Sequence, residues 1–153
     1  AEHLKKLIYF YNEDLNKLDS SDGATFYRVL TLTSENIPKD NLVQDFWLNG
    51  NIQSKYNVEY VDVNYPWLLD VYNGTQVEYY ENGKPSDTIN YVMGKIEGKS
   101  FSYSEDGFLL TEEDYKNDKI ENTTEYYISG NVKSKRNYVN EKQNSNSKSE
   151  YSE

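Results

Sequence analysis

The chain has 153 residues, 16 Lys+Arg against 26 Asp+Glu, and a formal net charge of −10. Apolar residues make up 36%, with 16 Tyr, one His and no Cys, a balance too polar for a thick enclosed core and too aromatic for a disordered chain of this length. The charge argues against nucleic acid and anionic membrane surfaces as partners. The lack of Cys excludes a disulfide scaffold, thiolate metal sites and a cysteine nucleophile, and no apolar run is long enough for a membrane-spanning helix.

Residues 1–40 read as an N-terminal β segment that caps the sheet. Residues 7–11, Leu-Ile-Tyr-Phe-Tyr, suit a strand, although Leu4, Leu7, Ile8, Tyr11, Leu15 and Leu18 also fit helical spacing. The aromatic run and the Asn-rich stretch after it favour the strand. Residues 19–23 form a turn. Residues 24–33 read as a strand with Phe26, Arg28 and Leu30 on one side and Tyr27, Val29 and Thr31 on the other. Residues 36–40 read as a loop.

From there the sequence repeats. Gly74, Tyr79, Gly83 and Tyr91 recur as Gly98, Tyr103, Gly107 and Tyr115, then as Glu121, Tyr126, Gly130 and Tyr138, a period of 23–24 residues. A degenerate copy starts at Asn41, with Phe46 and Gly50 in place and an insert before Gly74. The units are therefore 41–73 with the insert, 74–97, 98–120 and 121–140, and 141–153 is a polar tail with the composition of a linker or fraying end. Each unit reads as a β-hairpin turning at Gly50, Gly83, Gly107 or Gly130, where glycine takes a positive φ without penalty. A three-residue loop with a glycine bulge sets Phe46 opposite Ile52, Tyr79 opposite Pro85, Tyr103 opposite Leu109 and Tyr126 opposite Val132. A two-residue loop would mix apolar and polar residues on one face. The predicted fold is all-β, an elongated antiparallel meander of hairpins. Its inner face carries Tyr79, Tyr91, Tyr103, Tyr115, Tyr126 and Tyr138 as stacked cross-strand aromatics. Its outer face carries Glu78, Lys84, Ser102, Glu125, Lys133 and Lys135.

The segments Tyr79-Tyr80-Glu81-Asn82-Gly83-Lys84, Glu97-Gly98-Lys99 with Tyr103-Ser104-Glu105-Asp106-Gly107, and Tyr126-Tyr127-Ile128-Ser129-Gly130 resemble the MORN-repeat superfamily. They are most similar to the bacterial MORN-like variant known from antitoxin components of toxin–antitoxin systems. The lead-in from Ala24-Thr25-Phe26-Tyr27-Arg28 to Asp45-Phe46-Trp47-Leu48-Asn49-Gly50 is similar to Bacteroidetes-type members. The resemblance covers about residues 24–140 and departs from the pattern at Glu121, where a glycine is expected, and in the insert. It implies an extended antiparallel sheet and a protein-binding, non-enzymatic role with no catalytic residues to carry over.

The residues themselves offer no catalytic constellation. His3 is the single imidazole and sits at the chain end, so a histidine triad or His-rich metal site is not expected. Alternation sends Glu112 and Asp114 to the outer face and Glu113 to the other, so the three do not converge. Asp62 and Asn64 are too few for a cation cage. No cofactor and no metal are expected, and the chain is read as not an enzyme. The candidate partner-binding residues are Trp47, Tyr80 and Tyr127, which share one repeat position on the outer face, with Asp45, Glu78 and Glu125 two residues before each aromatic. Exposed aromatics with a polar margin are what protein-recognition surfaces use. The competing reading is packing under the N-terminal strands or under the insert with Trp67. A basic protein partner, as in antitoxin-like neutralisation, suits the charge. The alternatives are a structural or exported cell-envelope domain, to which the Ala1-Glu2-His3 start without Met leans, and a carbohydrate-binding module. Open sheet edges also admit edge-to-edge homo-oligomers.

Overall fold

The computed structural model describes residues 3–62, 64–65, 71–138 and 146–152, and all of the regular structure among them is β. The strands are β1 (Lys5–Tyr11), β2 (Lys17–Leu18), β3 (Phe26–Leu32), β4 (Pro38–Trp47), β5 (Ile52–Asn57), β6 (Gly74–Tyr79), β7 (Pro85–Val92), β8 (Lys95–Ile96), β9 (Gly98–Tyr103), β10 (Leu109–Lys116), β11 (Lys119–Tyr126), β12 (Val132–Tyr138) and β13 (Asn146–Glu150). They form one antiparallel sheet in the order β13-β12-β11-β10-β9-β7-β6-β5-β4-β3-β1-β2, with β8 pairing β7. Sequence neighbours are sheet neighbours almost throughout, as a meander of hairpins requires.

The N-terminal run is a strand and not a helix. β1 pairs β3 from Lys5–Leu32 to Tyr11–Phe26, which lays the Tyr11 ring on Phe26 at 5.0 Å. Leu15, one of the helix-spaced leucines, stands in the following loop at φ 63° and is 71% exposed. The loop expected at 36–40 is shorter than the sequence suggests. Thr33 and Ile37 close it, and Pro38 already pairs with Leu32. Proline is tolerated there because it opens the strand. Residues 39–42 bulge out of the β3–β4 ladder, with Asp40 and Asn41 at φ 56° and 55°. At the other end, composition alone misjudges the tail: residues 146–150 pair with β12 as β13, so the backbone at Tyr138–Ser134 gains a ladder partner.

The four tips are built alike. The N–H of Gly50, Gly83, Gly107 and Gly130 donates to the carbonyl of Trp47, Tyr80, Ser104 and Tyr127, each at 2.9 Å, and the same four residues donate to the residue four positions on. All four glycines have φ between 86° and 95°. The facing pairs Phe46–Ile52, Tyr79–Pro85, Tyr103–Leu109 and Tyr126–Val132 are those of the three-residue loop.

One pair further on, each ladder slips by a residue. Asp45 faces Ser54, Glu78 faces Asp87, Ser102 faces Thr111 and Glu125 faces Ser134. A one-residue slip moves every later side chain to the opposite face. The predicted single tyrosine stripe therefore divides. Tyr79, Tyr103 and Tyr126 stay on one face, the back, where they are joined by Glu112, Asp114 and Lys135, which had been placed on the opposite side. Tyr91, Tyr115 and Tyr138 move to the other, the front, with Asp45, Glu78 and Glu125.

The apolar core lies at the N-terminal end of the front face. Leu30, Leu32, Val43, Val58 and Val61 cluster there, with Leu7, Tyr9, Tyr56 and Tyr72 packed against them. Further along, the buried front-face positions are polar: Gln76, Ser100 and Ser134. Cross-strand pairing and tip contacts then hold the sheet. Asn51 Nδ2 donates to the Glu81 carbonyl at 2.7 Å, and Asn82 Nδ2 to the Glu105 carbonyl at 2.9 Å, tying each tip to the next. A Cβ at Gly107 meets only the Lys84 side chain, so its cost is conformational. Gly107→Val is expected to destabilise by about 1–3 kcal/mol, while Lys99→Val removes only an exposed ion pair to Glu112 and Asp114 and is expected to leave the melting temperature nearly unchanged. Paired thermal melts measure the difference.

A candidate partner-binding face

Strand β3 brings Arg28 beside Asp45 of β4, and the guanidinium pairs with the carboxylate through two bonds, Nε to Oδ1 at 2.8 Å and Nη2 to Oδ2 at 2.9 Å. The Arg28 side chain is 11% exposed and that of Asp45 1%. The Tyr11 and Tyr56 rings lie within cation–π range of the same guanidinium, at 5.0 and 5.6 Å. Burial pushes the Tyr11 phenol up to about 12. Asp45 was expected on an exposed acidic margin. It is instead the buried half of an ion pair, because the neighbouring strand supplies its cation.

Glu78 and Glu125 share the front face with it. Glu78 accepts from Gln76 Nε2 at 3.0 Å. Burial, and then the facing Asp87 carboxylate, raise the Glu78 carboxyl above the usual range. Glu125 accepts from Ser134 Oγ at 2.8 Å. The aromatics of the candidate set stand at the tips. The Tyr80 hydroxyl donates to the Tyr103 carbonyl at 2.6 Å, and that of Tyr127 to the Tyr151 carbonyl at 2.9 Å. Both phenols thus fasten one hairpin to the next backbone while their rings remain half-buried. The Trp47 indole Nε1 is buried without a hydrogen-bond partner. Ser104 holds the equivalent position in the third hairpin and interrupts the aromatic row. The described N-terminal strands extend the sheet edge rather than folding over these residues, and Trp67 lies outside the described residues.

An open groove of about 970 Å³ joins Trp47 and Tyr80 to Arg28, Asp45, Glu78 and Tyr91. A second hollow of about 300 Å³ continues it at Asp87, Ser100, Glu113 and Tyr115, and a third of about 70 Å³ at Thr123, Glu125, Arg136 and Tyr138. The front face thus carries a row of hollows crossing successive repeats. Sequence reasoning named part of the first and the edge of the third. It missed Arg28, Tyr56, Asp87 and Glu113. The available signal was an arginine inside an apolar strand, seventeen residues before an aspartate on the next.

Among the described residues no group of acids and histidines is arranged to hold a metal ion, and no helix is long and apolar enough to cross a membrane. Residues 72–93, which contain the β6–β7 hairpin and its Gly83 tip, match the family model of the MORN repeat variant. MORN repeats are binding modules for proteins and membranes, and the family is generally non-enzymatic. No curated protein matches the chain.

Proposed function

We propose that the chain is a non-enzymatic repeat module that holds a basic protein partner on its front face, with antitoxin-like neutralisation as the specific form of that role. The observation that carries this reading is the half-buried Glu78–Asp87 pair, with Glu78 in a groove walled by Trp47, Tyr80 and Tyr91 and Asp87 in the hollow beside it. Two carboxylates facing each other repel, and that repulsion adds to burial in raising the Glu78 carboxyl above its usual range. A cationic side chain seated between them would relieve the repulsion, and the aromatic walls would bury its apolar stem. The candidate residues Trp47, Tyr80, Tyr127, Glu78 and Glu125 supply aromatic anchors and acids on the same face. Asp45 contributes by holding Arg28.

The test is capture from the native host by the immobilised chain, repeated with Glu78→Gln/Asp87→Asn. A basic protein that elutes with rising salt and is lost by the variant, while the variant melts as the parent does, supports the reading. Retention at unchanged affinity contradicts it. Gln53, Gln76 and Asn82 also line the groove, and amides beside aromatic rings favour a second reading, carbohydrate binding. A glycan that binds equally to parent and acid-to-amide variant would support that one.

A further inference from the structure

The facing pairs beside the tips lay one apolar row across the back of the sheet. In the three C-terminal hairpins Tyr79 faces Pro85, Tyr103 faces Leu109 and Tyr126 faces Val132. The pairs Asp87–Ser102 and Thr111–Glu125 join these hairpins to one another. The six residues therefore line up side by side on β6, β7, β9, β10, β11 and β12. All the described strands belong to one sheet, so among them no second layer lies against the row. Five of the six are half-buried and Pro85 is exposed. The back also escapes most of the chain's negative charge. Asp45, Glu78, Asp87, Glu113 and Glu125 face the front. The back acids beside the row, Glu112 and Asp114, both pair with Lys99, and Glu112 also accepts from the Tyr126 hydroxyl at 3.0 Å. Covering this face leaves neither carboxylate without a partner, which is the condition for burying charge without a large penalty.

Along the row a large ring alternates with a shorter side chain, and the pattern repeats every second strand, about 9.5 Å. Such a row is complementary to itself once displaced by one strand. A two-fold axis parallel to the strands and midway between β9 and β10 makes that displacement. It sets Tyr103 of each copy over Leu109 of the other, Tyr126 over Pro85, and Tyr79 over Val132. Side chains of two facing sheets interdigitate in this way in β-sandwiches, where the sheets lie about 10 Å apart with their strands nearly aligned. The six strands are six to eight residues long and span about 600 Å² of sheet. That is of the order of the ~800 Å² that each member of a specific pair buries. We propose that two copies of the chain associate back to back through this row, with Tyr103 and Leu109 at the two-fold axis. Both front faces then point outwards, and the dimer offers the candidate partner-binding face twice.

Sedimentation velocity of the full chain over a concentration series, with Tyr103→Glu beside the parent, tests this. The parent is expected to form a reversible dimer. The variant places two carboxylates at the axis and is expected to dimerise more than about tenfold more weakly, while its circular dichroism stays that of the parent. Because each copy carries a charge of −10, added salt should tighten the dimer, the opposite of its expected effect on a basic partner at the front. If Tyr103→Glu does not fold, ring-labelled parent protein decides the matter. On dilution the resonances of Tyr79, Tyr103 and Tyr126 are expected to shift together, while those of Tyr91 and Tyr115 hold still. A parent that stays monomeric at every concentration overturns the proposal. So does a dimer that a folded Tyr103→Glu leaves intact, or one whose dissociation leaves the three back-face rings unmoved, as an edge-to-edge contact would. Each of these results leaves the basic-partner reading standing.

Discussion

Asp45→Ala is expected to lower the free energy of unfolding by about 3–5 kcal/mol. The carboxylate is almost fully enclosed and takes both available bonds from Arg28. Removing it takes both of these charged bonds from a guanidinium buried among Tyr11, Tyr56 and the apolar cluster. The Arg28→Met/Asp45→Leu double variant should recover much of the loss, because no charge then remains to be solvated. Urea unfolding of the three proteins gives the comparison. A single variant as stable as the parent would mean that the pair is solvated and the N-terminal end of the sheet is held by apolar contacts alone.

Leu30→Ala is expected to cost about 2–5 kcal/mol. Leu30 is 0% exposed, faces Val43 across the β3–β4 ladder, and belongs to the apolar cluster of buried residues. The strands that flank it extend beyond the cluster into polar territory, so little neighbouring apolar volume can collapse into the space left behind. Leu109→Ala, half-buried near the Gly107 tip, should cost clearly less. The two together map where the sheet's stability resides.

The hairpin tips were legible in the sequence because Gly50, Gly83, Gly107 and Gly130 recur at fixed offsets beside Asn, Asp or Ser. The apolar residues next to them fit only one loop length. That reasoning also found the first facing pair of every hairpin. It failed one residue later. The bulge that follows Phe46–Ile52 and its equivalents leaves no mark in residue type, since Gln53, Ser86, Leu110 and Lys133 have nothing in common. Tyr91, Tyr115 and Tyr138 consequently went to the wrong face, and the groove they line stayed hidden. The candidate acids were found by position, but their surroundings depend on neighbours from other strands. Arg28 lies on β3, and Asp87 across the β6–β7 ladder. Composition correctly marked residues 146–150 as polar, yet a polar strand at a sheet edge needs only backbone pairing to form.

The division of the tyrosines between two faces gives the most direct test of the front face as the partner surface. With tyrosine rings selectively labelled, a capped arginine-rich peptide standing in for the basic partner is titrated into the full chain and the ring resonances are followed. The rings of Tyr91 and Tyr115 are predicted to shift together and saturably, while those of Tyr79, Tyr103 and Tyr126 on the back hold still. Shifts confined to the back-face rings, or no shift of Tyr91 and Tyr115 at saturating peptide, would contradict the account.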